Sequence, residues 1–480
     1  MNGDAGAVDA QHRHRFSAGT LKAVALFAAL TIASALAVSR LRGLAADDAY
    51  ITYRYAANLA HGHGWVYNLH STTADAESSP VYTLLLAALA FLGMSLPFAA
   101  TLVFVLASAG TGTVTYLELR RHGMGFGGVA AAAVIVASPW VVSTRGMEMA
   151  VLMLLVALSV YFADGRLPLL AGVATALAAL TRGEAALLGL VLVVVVARQG
   201  RLAFMRYVAG GAAVVVAWLI VAAATGSAFV PGTLAAKMAQ GRSGFWAGGG
   251  RWIFARDTID GVLHGMRFGP WLVLLGVLAA IGCLALLRPS CPREPLLAIG
   301  TFAVAVTLAY TVVLRTPFYH WYFGPQLLAI AWFAGVGVHL LAAARKPIGA
   351  VAAVSLVVAS VVVGLQRTPH GGYPQYEAAS AWLRANTGPG ATVASAEIGV
   401  IGYRSGRPMV DFLGLLDRQS VTDLRHHDLA SWLARDHPAY WVAHDYTYGL
   451  ELPAEATPYF HEHYQPVAKM DRLVIYAWSA

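Results

Sequence analysis

Residues 21–64 read LKAVALFAALTIASALAVSRLRGLAADDAYITYRYAANLAHGHG. The stretch joins an apolar run, Leu21–Val38, to a polar segment that opens on two adjacent aspartates, Asp47 and Asp48. An apolar run of about 20 residues is long enough to cross the hydrocarbon core of a bilayer. Basic residues precede this run and no convincing cleavage site follows it, so we expect a signal anchor with a cytoplasmic N-terminus.

The same character extends over the whole chain of 480 residues, of which 58% are apolar and 12% are charged. Soluble proteins carry about twice that charged fraction. This composition excludes a simple cytosolic enzyme and a disordered chain. Two cysteines are too few for a secreted disulfide scaffold. The sequence therefore predicts a polytopic α-helical membrane protein.

Basic residues in short loops set the expected topology, because Lys and Arg concentrate on the cytoplasmic side. Arg120, Arg121, Arg166 and Arg345 lie in loops two spans apart. Placing them inside requires an odd number of crossings in 80–118. We therefore expect a short dipping helix at 80–93 before one full span. The resulting eleven predicted spans are 21–39, 97–118, 126–143, 147–163, 167–181, 183–198, 204–225, 270–288, 296–314, 319–343 and 347–365.

The chain divides into two regions of different composition. Residues 1–365 form the predicted transmembrane domain, with outer loops at 40–79 and 226–269. Residues 366–480 have the composition of a soluble domain, with nine Lys or Arg and twelve Asp or Glu, whereas the remainder carries a net charge of +11. We expect a small α/β domain on the outer side, with a helix at 376–386 and strands at 392–400, 408–412, 440–443 and 473–478. Basic residues in the membrane region orient the spans and contact lipid phosphates, so their charge does not indicate binding of nucleic acid.

The first outer loop contains the strongest candidates for catalytic residues. From Asp48 to His61 the spacing predicts a helix, which Gly62 and Gly64 end. Two adjacent carboxylates just after a span suit general-base or metal chemistry at the membrane surface. Helix capping alone accounts for one of them, and we expect Asp48 to be the N-cap. Asp47 is then the predicted general base, and Asp48 orients it or binds acceptor or metal.

Further polar residues fall at the outer ends of predicted spans. Glu77 closes the first loop, and the others are Arg145, Glu148, Arg182, Glu184, Lys237, Arg315 and His320. Singly, each is explained as an interfacial anchor or an ion-pair partner. Together they lie on the face that holds the two aspartates. A basic cluster beside carboxylates at a lipid boundary suits a substrate with a phosphate on a lipid tail, since cations hold the phosphate while a carboxylate takes a proton.

Several of these segments resemble one family. Asp47–Ala56 with Gly62–Asn68 is similar to the first loop of GT-C fold membrane glycosyltransferases, in particular the mycobacterial terminal arabinofuranosyltransferase branch. Glu77–Pro80 matches that branch's Glu-aromatic-Thr-Ser-Pro run without its aromatic residue. The remaining matches, in the same order as in the family, are Gly146–Glu148, Leu180–Arg182, Val230–Lys237 (with Gly232 where the family has Asn) and Val410–Asp417.

The resemblance implies inverting transfer of a sugar, arabinofuranose in that branch, from a polyprenyl-phosphate donor. It implies that the first-loop Asp is the base and that cations at outer span ends hold the donor phosphate. We assign that role to Arg54, Arg182, Lys237 and His320, with Arg145 as a further candidate. The implied enzyme is a multi-pass protein of a bacterial inner membrane with its active site and C-terminal domain on the periplasmic side. The acceptor is a glycan, a lipid or a protein, and a divalent cation is left open as a cofactor.

Two other classes of function stay open. A transporter or flippase of lipid-linked sugars would use charges deep within spans and repeated halves, whereas here the charges lie at span ends and the halves differ. A non-catalytic envelope-assembly protein would need no paired acids. The sequence has no apparent Gly-rich phosphate-binding loop, so we expect no nucleotide substrate.

Overall fold

The computed structural model describes residues 18–41, 45–69, 77–228, 232–245, 252–260, 269–288, 293–366 and 373–479. A bundle of apolar helices makes up most of these residues, and a smaller region of short helices and one sheet follows it. The predicted motif Val230–Lys237 lies inside the described residues only from Gly232 onward, and the signal-anchor prediction only from residue 18 onward.

Six helical segments of the described chain are long and apolar enough to cross a membrane. Each begins or ends near basic residues or Pro, as in α4, which runs from the Leu96–Pro97 pair to Arg121. The segments are α1 (Ala18–Ser39), α4 (Leu96–Arg121), α10 (Arg201–Thr225), α14 (Arg293–Leu308) with its π-helical continuation to Leu314, α15 (Gly324–Ala344) and α16 (Lys346–Gln366).

The other five predicted spans correspond to shorter apolar helices, several of which end next to a Gly or a Ser-Pro sequence. For example, α5 ends before Ser138-Pro139, where a new short helix starts. These helices are α5 (Gly125–Ala137) with α6 (Pro139–Val142), α7 (Met149–Asp164), α8 (Pro168–Thr181), α9 (Ala186–Ala197) and α13 (Gly269–Cys283). Helix α3 (Pro80–Phe91) has 12 residues and precedes the long α4.

Glycines allow several of these helices to approach backbone to backbone. A Cβ on Gly282 of α13 would lie 1.8 Å from the carbonyl oxygen of Phe333 in α15, and one on Gly127 of α5 would lie 1.9 Å from that of Gly335. A Cβ on Gly172 of α8 would similarly overlap the carbonyl of Tyr207 in α10. Small residues at helix crossings are the usual basis of packing within membranes. These contacts hold the apolar helices of the bundle together.

Three helices lie in the segments between the apolar helices: α2 (Asp47–Ala60), α11 (Thr233–Ser243) and α12 (Ile253–Asp260). Helix α2 begins and ends one residue earlier than the predicted helix 48–61. Gly62 and Gly64 follow it with positive φ. Its N-cap residue is Ala46, with no side-chain cap. The prediction that Asp48 is the N-cap is therefore wrong, because the helix starts one residue earlier and places both aspartates inside its first turn.

The C-terminal region contains a five-stranded sheet of order β2-β1-β3-β5-β4. Strands β1 and β2 are parallel, β1 and β3 are parallel, and β5 runs antiparallel to both β3 and β4. Trp432, Trp441 and Phe412 pack in its core. The strands are β1 (Val393–Ser395), β2 (Met409–Val410), β3 (Tyr440–His444), β4 (Tyr464–Met470) and β5 (Leu473–Trp478).

The helices of this region are α17 (Pro374–Asn386), α18 (Gly399–Ser405), α19 (Arg418–Arg425), α20 (Ser431–Asp436), α21 (Leu452–Glu455) and α22 (Pro458–His463). The strand predicted over 392–400 is wrong beyond Ser395, because Gly399 already starts α18. Strand β4 was missed, since most of its residues after Tyr464 are exposed or half-exposed and lack an apolar alternation. Helix α18 packs on α2, and this contact joins the C-terminal region to the first loop.

Candidate functional site

A cavity of about 420 Å³ opens among the helix ends on the side of the C-terminal region. Its walls come from the first loop, the ends of α7, α8, α10 and α14, helix α11, and one residue of the C-terminal region, Leu415. The wall is mostly apolar, with charged groups from several elements. The charged and aromatic lining residues are Asp48, Glu77, Glu148, Arg182, Glu184, Trp218, Lys237, Tyr310, Trp321 and Tyr322.

The two aspartates of α2 have different surroundings. Asp48 is half-buried and lines the cavity. Asp47 is buried and turns away from it: its Oδ2 accepts the N–H of Gly399 at 2.8 Å, and its Oδ1 accepts the N–H of Val400 at 2.7 Å. Asp47 therefore caps the first turn of α18. Of the pair, Asp48 is the carboxylate that a molecule in the cavity meets.

Burial raises the pKa of Asp47 to about 7, and the neighbouring Asp48 adds to the rise, against the two backbone hydrogen bonds. A carboxyl group with this pKa is about half protonated at pH 7. Its charge is therefore sensitive to the groups that surround the first loop.

Arg182, at the end of α8, is surrounded by acceptors. Its Nη1 donates to Oε1 of Glu148 at 2.5 Å and its Nε donates to Oε1 of Glu184 at 2.5 Å. The hydroxyl of Tyr310 lies 3.2 Å from Nη2 and itself donates to Glu184 at 2.6 Å. The guanidinium also lies 5.1 Å from the ring centroid of Tyr322. Two carboxylates thus already offset the charge of Arg182.

Lys237, on α11, is a cation of a different kind. Across the part of the chain that the structure describes, no carboxylate lies within salt-bridge distance of its Nζ, which sits 6.0 Å from the ring centroid of Tyr319. Burial lowers the pKa of Lys237, but nearby groups, among them Tyr322, Asp48 and Glu397, raise it further, so the net shift is upward. Lys237 is charged at neutral pH and has room for an anionic partner in the cavity.

Glu77 lies at the entry to α3 and is almost fully buried. Its Oε1 accepts the backbone N–H of Ser79 at 2.6 Å, which satisfies one free donor at the start of that helix. The carboxylate also lines the cavity. Glu77 therefore combines a helix-start contact with a position in the cavity wall.

Arg54 does not line the cavity. Its Nε donates to the carbonyl of Tyr67 at 2.8 Å, its Nη2 donates to Oδ1 of Asn68 at 3.2 Å, and it lies 4.4 Å from the ring centroid of Tyr67. Asn68 in turn donates to the carbonyl of Met409 at 2.8 Å. These contacts connect the first loop to strand β2. Arg54 therefore stabilises the structure and does not meet a molecule in the cavity.

Arg145 and His320 lie beside the cavity without lining it. Burial raises the pKa of the Tyr53 hydroxyl, and the charge of Arg145 opposes that rise. Burial lowers the pKa of His320, whose ring packs edge-on against Trp321 at 4.8 Å. His320 is therefore neutral at pH 7.

The cavity brings together five of the residues predicted from the sequence: Asp48, Glu77, Glu148, Arg182 and Lys237. Asp47, Arg54, Arg145 and His320 lie outside its lining. Two further lining residues are Glu184, which the sequence placed at a span end beside Arg182 without a role in the site, and Tyr310, which the sequence did not single out.

The cavity carboxylates do not form a compact metal-ligand cluster. In the described ranges, one group of three such side chains has its ligand atoms close enough together for a single ion: Glu118, His122 and Asp164 at the far end of α4 and α7. Arg121 already bridges these carboxylates, at 3.1 Å from Glu118 and 3.2 Å from Asp164. Because Arg121 holds both carboxylates, this cluster is explained as an ion network.

We compared the sequence and the structure with those of known proteins. A domain of unknown function, DUF8728, matches residues 369–479, which cover the C-terminal α/β region. No curated protein matches the sequence. Among solved structures, ArnT from Cupriavidus metallidurans in the apo state is similar over 96% of this chain and 98% of that chain, with a TM-score of 0.58 and 16% identity. The predicted fold class is confirmed: the chain is a polytopic α-helical membrane protein with the GT-C fold and a small C-terminal α/β region.

Proposed function

We propose that the protein is an inverting membrane glycosyltransferase that moves a sugar from a polyprenyl-phosphate donor to an acceptor hydroxyl. The observation that carries the proposal is one cavity in which the Asp48 carboxylate, the Lys237 ammonium and an apolar, aromatic wall meet at the ends of membrane helices. The similarity of fold to ArnT over nearly the whole chain supports it.

In this proposal Asp48 is the general base. The acceptor hydroxyl is a poor nucleophile at neutral pH, and a positioned base contributes about 10²–10⁴-fold to such a step. Asp48 takes the proton while the acceptor oxygen attacks the anomeric carbon and the sugar–phosphate bond breaks. This assignment replaces Asp47, because both carboxylate oxygens of Asp47 accept hydrogen bonds from α18.

Lys237 is the proposed partner of the donor phosphate. Charge develops on that phosphate as the polyprenyl phosphate leaves, and a fixed ammonium stabilises it. Arg182 serves mainly to hold Glu148 and Glu184 in the cavity wall, where the two carboxylates can accept hydrogen bonds from sugar hydroxyls. Trp218, Trp321 and Tyr322 supply the apolar and aromatic wall for the sugar ring and the first isoprene units.

The remaining parts of the proposal rest on the sequence. The enzyme belongs to the inner membrane of a bacterium, with the cavity and the C-terminal region on the periplasmic side, as the distribution of basic loops indicates. The resemblance to the arabinofuranosyltransferase branch makes arabinofuranose the first sugar to test. The acceptor is a glycan, a lipid or a protein of the cell envelope. A divalent cation, if one takes part, would need oxygen ligands from the donor phosphate in addition to the cavity carboxylates.

A transfer assay tests the proposal. The full chain is reconstituted in lipid nanodiscs and given a panel of polyprenyl-phosphate pentoses and hexoses with membrane-derived acceptors, with and without EDTA. Asp48→Asn should lower kcat by about 10²–10⁴-fold. The control is Asp471→Asn, an exposed aspartate in the turn between β4 and β5, whose positive φ an Asn also adopts.

Three outcomes would contradict the proposed activity or the assignment of Asp48 as the base. No transfer from any donor by the folded wild-type protein would favour a transporter or an assembly protein. Transfer by Asp48→Asn together with an inactive Asp47→Asn would restore the assignment made from the sequence. Full activity of both variants would point to Glu77.

A further inference from the structure

A second hollow, beside the cavity, lies between α11 and α19 of the C-terminal region. Its volume of about 480 Å³ falls in the range of about 300–1,000 Å³ that small-molecule sites occupy. We call it the α11–α19 groove, and its lining includes Leu234, Met238, Ala239, Arg242, Leu424 and Arg425. Both the outer segment 226–269 and the C-terminal region therefore contribute to it.

Contacts within the protein hold the two walls of the α11–α19 groove together. On α11, Nε2 of Gln240 donates to the carbonyl of Leu413 at 2.7 Å, which joins this helix to the C-terminal region. Just beyond the two helices, the ring centroids of Phe245 and His427 lie 6.2 Å apart. The groove is therefore built by the packing of α11 against the C-terminal region.

The floor of the groove is apolar. Leu424 and Ala239 are buried, and Met238 is half-buried. Leu234 is 53% exposed and lines both the groove and the cavity. On α11, Leu234, Met238 and Arg242 follow one another at intervals of four residues, which places them along one face of the helix. This face therefore offers hydrocarbon at one end and a positive charge at the other.

Two arginines, one from each wall, supply the charge of the groove. Arg242 and Arg425 are both exposed, and within the described part of the chain neither has a carboxylate at salt-bridge distance. Asp423, on the same helix as Arg425, is already engaged by Arg435 and by Gln419. A guanidinium group matches a phosphate well, because its N–H donors form a rigid fork. The two arginines therefore form a cationic site without an anion of the protein.

The groove lies at the level where a membrane helix ends. Residues Arg293–Leu314, which are α14 and its π-helical continuation, form one of the candidate spans. Helix α11 packs against the end of this span, since a Cβ on Gly241 would lie 2.0 Å from the carbonyl oxygen of Leu314 and 3.0 Å from that of Arg315. Arg242 follows Gly241 directly, so it lies where the chain leaves the hydrocarbon core. Lipid headgroups occupy this level of a bilayer.

We propose that the α11–α19 groove binds an anionic phospholipid of the surrounding membrane, with its phosphate at Arg242 and Arg425 and the first part of an acyl chain along Met238 and Leu234. Such a lipid combines the negative charge, the attached hydrocarbon and the headgroup level that the groove requires. Through Arg425, it would hold the C-terminal region at the membrane surface. The inference goes beyond the proposed function and holds whether or not the protein transfers a sugar.

Photo-crosslinking of the full chain in phosphatidylcholine nanodiscs tests the inference. The nanodiscs contain increasing amounts of a phosphatidylglycerol with a photoreactive group on its acyl chain, close to the glycerol, and crosslinks in 233–243 and 418–425 are quantified by mass spectrometry. We expect saturable labelling of both segments, which unlabelled phosphatidylglycerol suppresses. A phosphatidylcholine with the same photoreactive group should label them only in proportion to its amount.

The two arginines are tested by substitution. Arg242→Gln and Arg425→Gln should each raise the half-saturating lipid fraction roughly fivefold, which corresponds to about 1 kcal/mol for one basic residue at a membrane surface. Arg425→Lys keeps the charge and should keep most of the binding. Arg384→Gln is the matched control, because Arg384 is exposed on α17 of the same region and does not line the groove.

Three results would overturn the inference. The first is wild-type half-saturation in the folded double variant Arg242→Gln/Arg425→Gln. The second is equal saturable labelling by the phosphatidylcholine probe, since charge would then play no part. The third is suppression by inorganic phosphate as effective as that by phosphatidylglycerol, which would indicate an anion site that needs no lipid. The comparisons of lipid and phosphate use the wild-type protein, so they decide the question even if a variant fails to fold.

Discussion

Two adjacent carboxylates in one helical turn have different surroundings because successive residues of a helix point about 100° apart. Asp47 faces the amides of Gly399 and Val400, and Asp48 faces the cavity. The sequence predicted the pair and its location after the first span. It could not say which aspartate faces the cavity, since that depends on where α18 of the C-terminal region packs, some 350 residues further along the chain.

Lys237 gives the sharpest prediction on donor affinity. A charge-assisted contact of this type is worth about 1.5–3 kcal/mol, so Lys237→Gln should raise the donor KM roughly 10- to 150-fold. Arg384→Gln is the control, because Arg384 is exposed on α17 and does not line the cavity. Equal KM values for Lys237→Gln and wild type, measured at saturating acceptor, would reduce Lys237 to an interfacial anchor.

At the scale of elements, Arg182 links three helices. It connects the end of α8 to Glu148 at the start of α7 and to Tyr310 of α14, with Glu184 completing the group. The side chains of Arg182, Glu148 and Glu184 are 11%, 8% and 14% exposed. Loss of one partner from such a buried network leaves charges uncompensated, which costs about 3–5 kcal/mol. Arg182→Gln should therefore lower Tm as well as activity.

Thermal unfolding in nanodiscs, followed by tryptophan fluorescence, checks this expectation. The double variant Arg182→Gln/Glu184→Gln should recover part of the lost Tm, because it removes one of the two unpaired charges. Arg256→Gln is the control, since Arg256 is 55% exposed in its pair with Asp257. A wild-type Tm in Arg182→Gln, combined with a raised donor KM, would support the phosphate-binding role predicted from the sequence.

How far the elements could be predicted follows from the length of each pattern. The apolar helices form continuous apolar runs and α2 has a helical periodicity, each over 12 or more residues, and the sequence located them within a few residues. Strand β1 has three residues and β2 has two, so their exact ends depend on tertiary pairing. The turn that follows β1 is set by contacts of Gly399 and Gly402 with the first loop, which no local pattern encodes.

Across the whole molecule, the membrane helices and the C-terminal region build one site from distant parts of the chain. Arg54 and Asn68 join the first loop to β2, and Asp47 joins it to α18. Gln240 of α11 donates to the carbonyl of Leu413 at 2.7 Å, which connects the helix of Lys237 to the same region. The cavity therefore depends on docking of the C-terminal region to the first loop and to α11.

The orientation of this assembly in the membrane follows from helix lengths and basic loops. Helix α3 has 12 residues and extends about 18 Å, shorter than the hydrocarbon core of about 30 Å, whereas the 26 residues of α4 extend about 39 Å. We expect one crossing between Pro80 and Arg121, which would place Ser95 outside and the Arg120–Arg121 pair inside. With Cys283 and Cys291 replaced, a single Cys at Ser95 should react with a membrane-impermeant maleimide in intact cells, and one at His122 should react only after lysis.

Ser479→Cys serves as the outer reference, since the proposed cavity and the C-terminal region share a side. Labelling of the His122 position in intact cells, with protection of Ser95 and Ser479, would invert the molecule and move the proposed site to the cytoplasm.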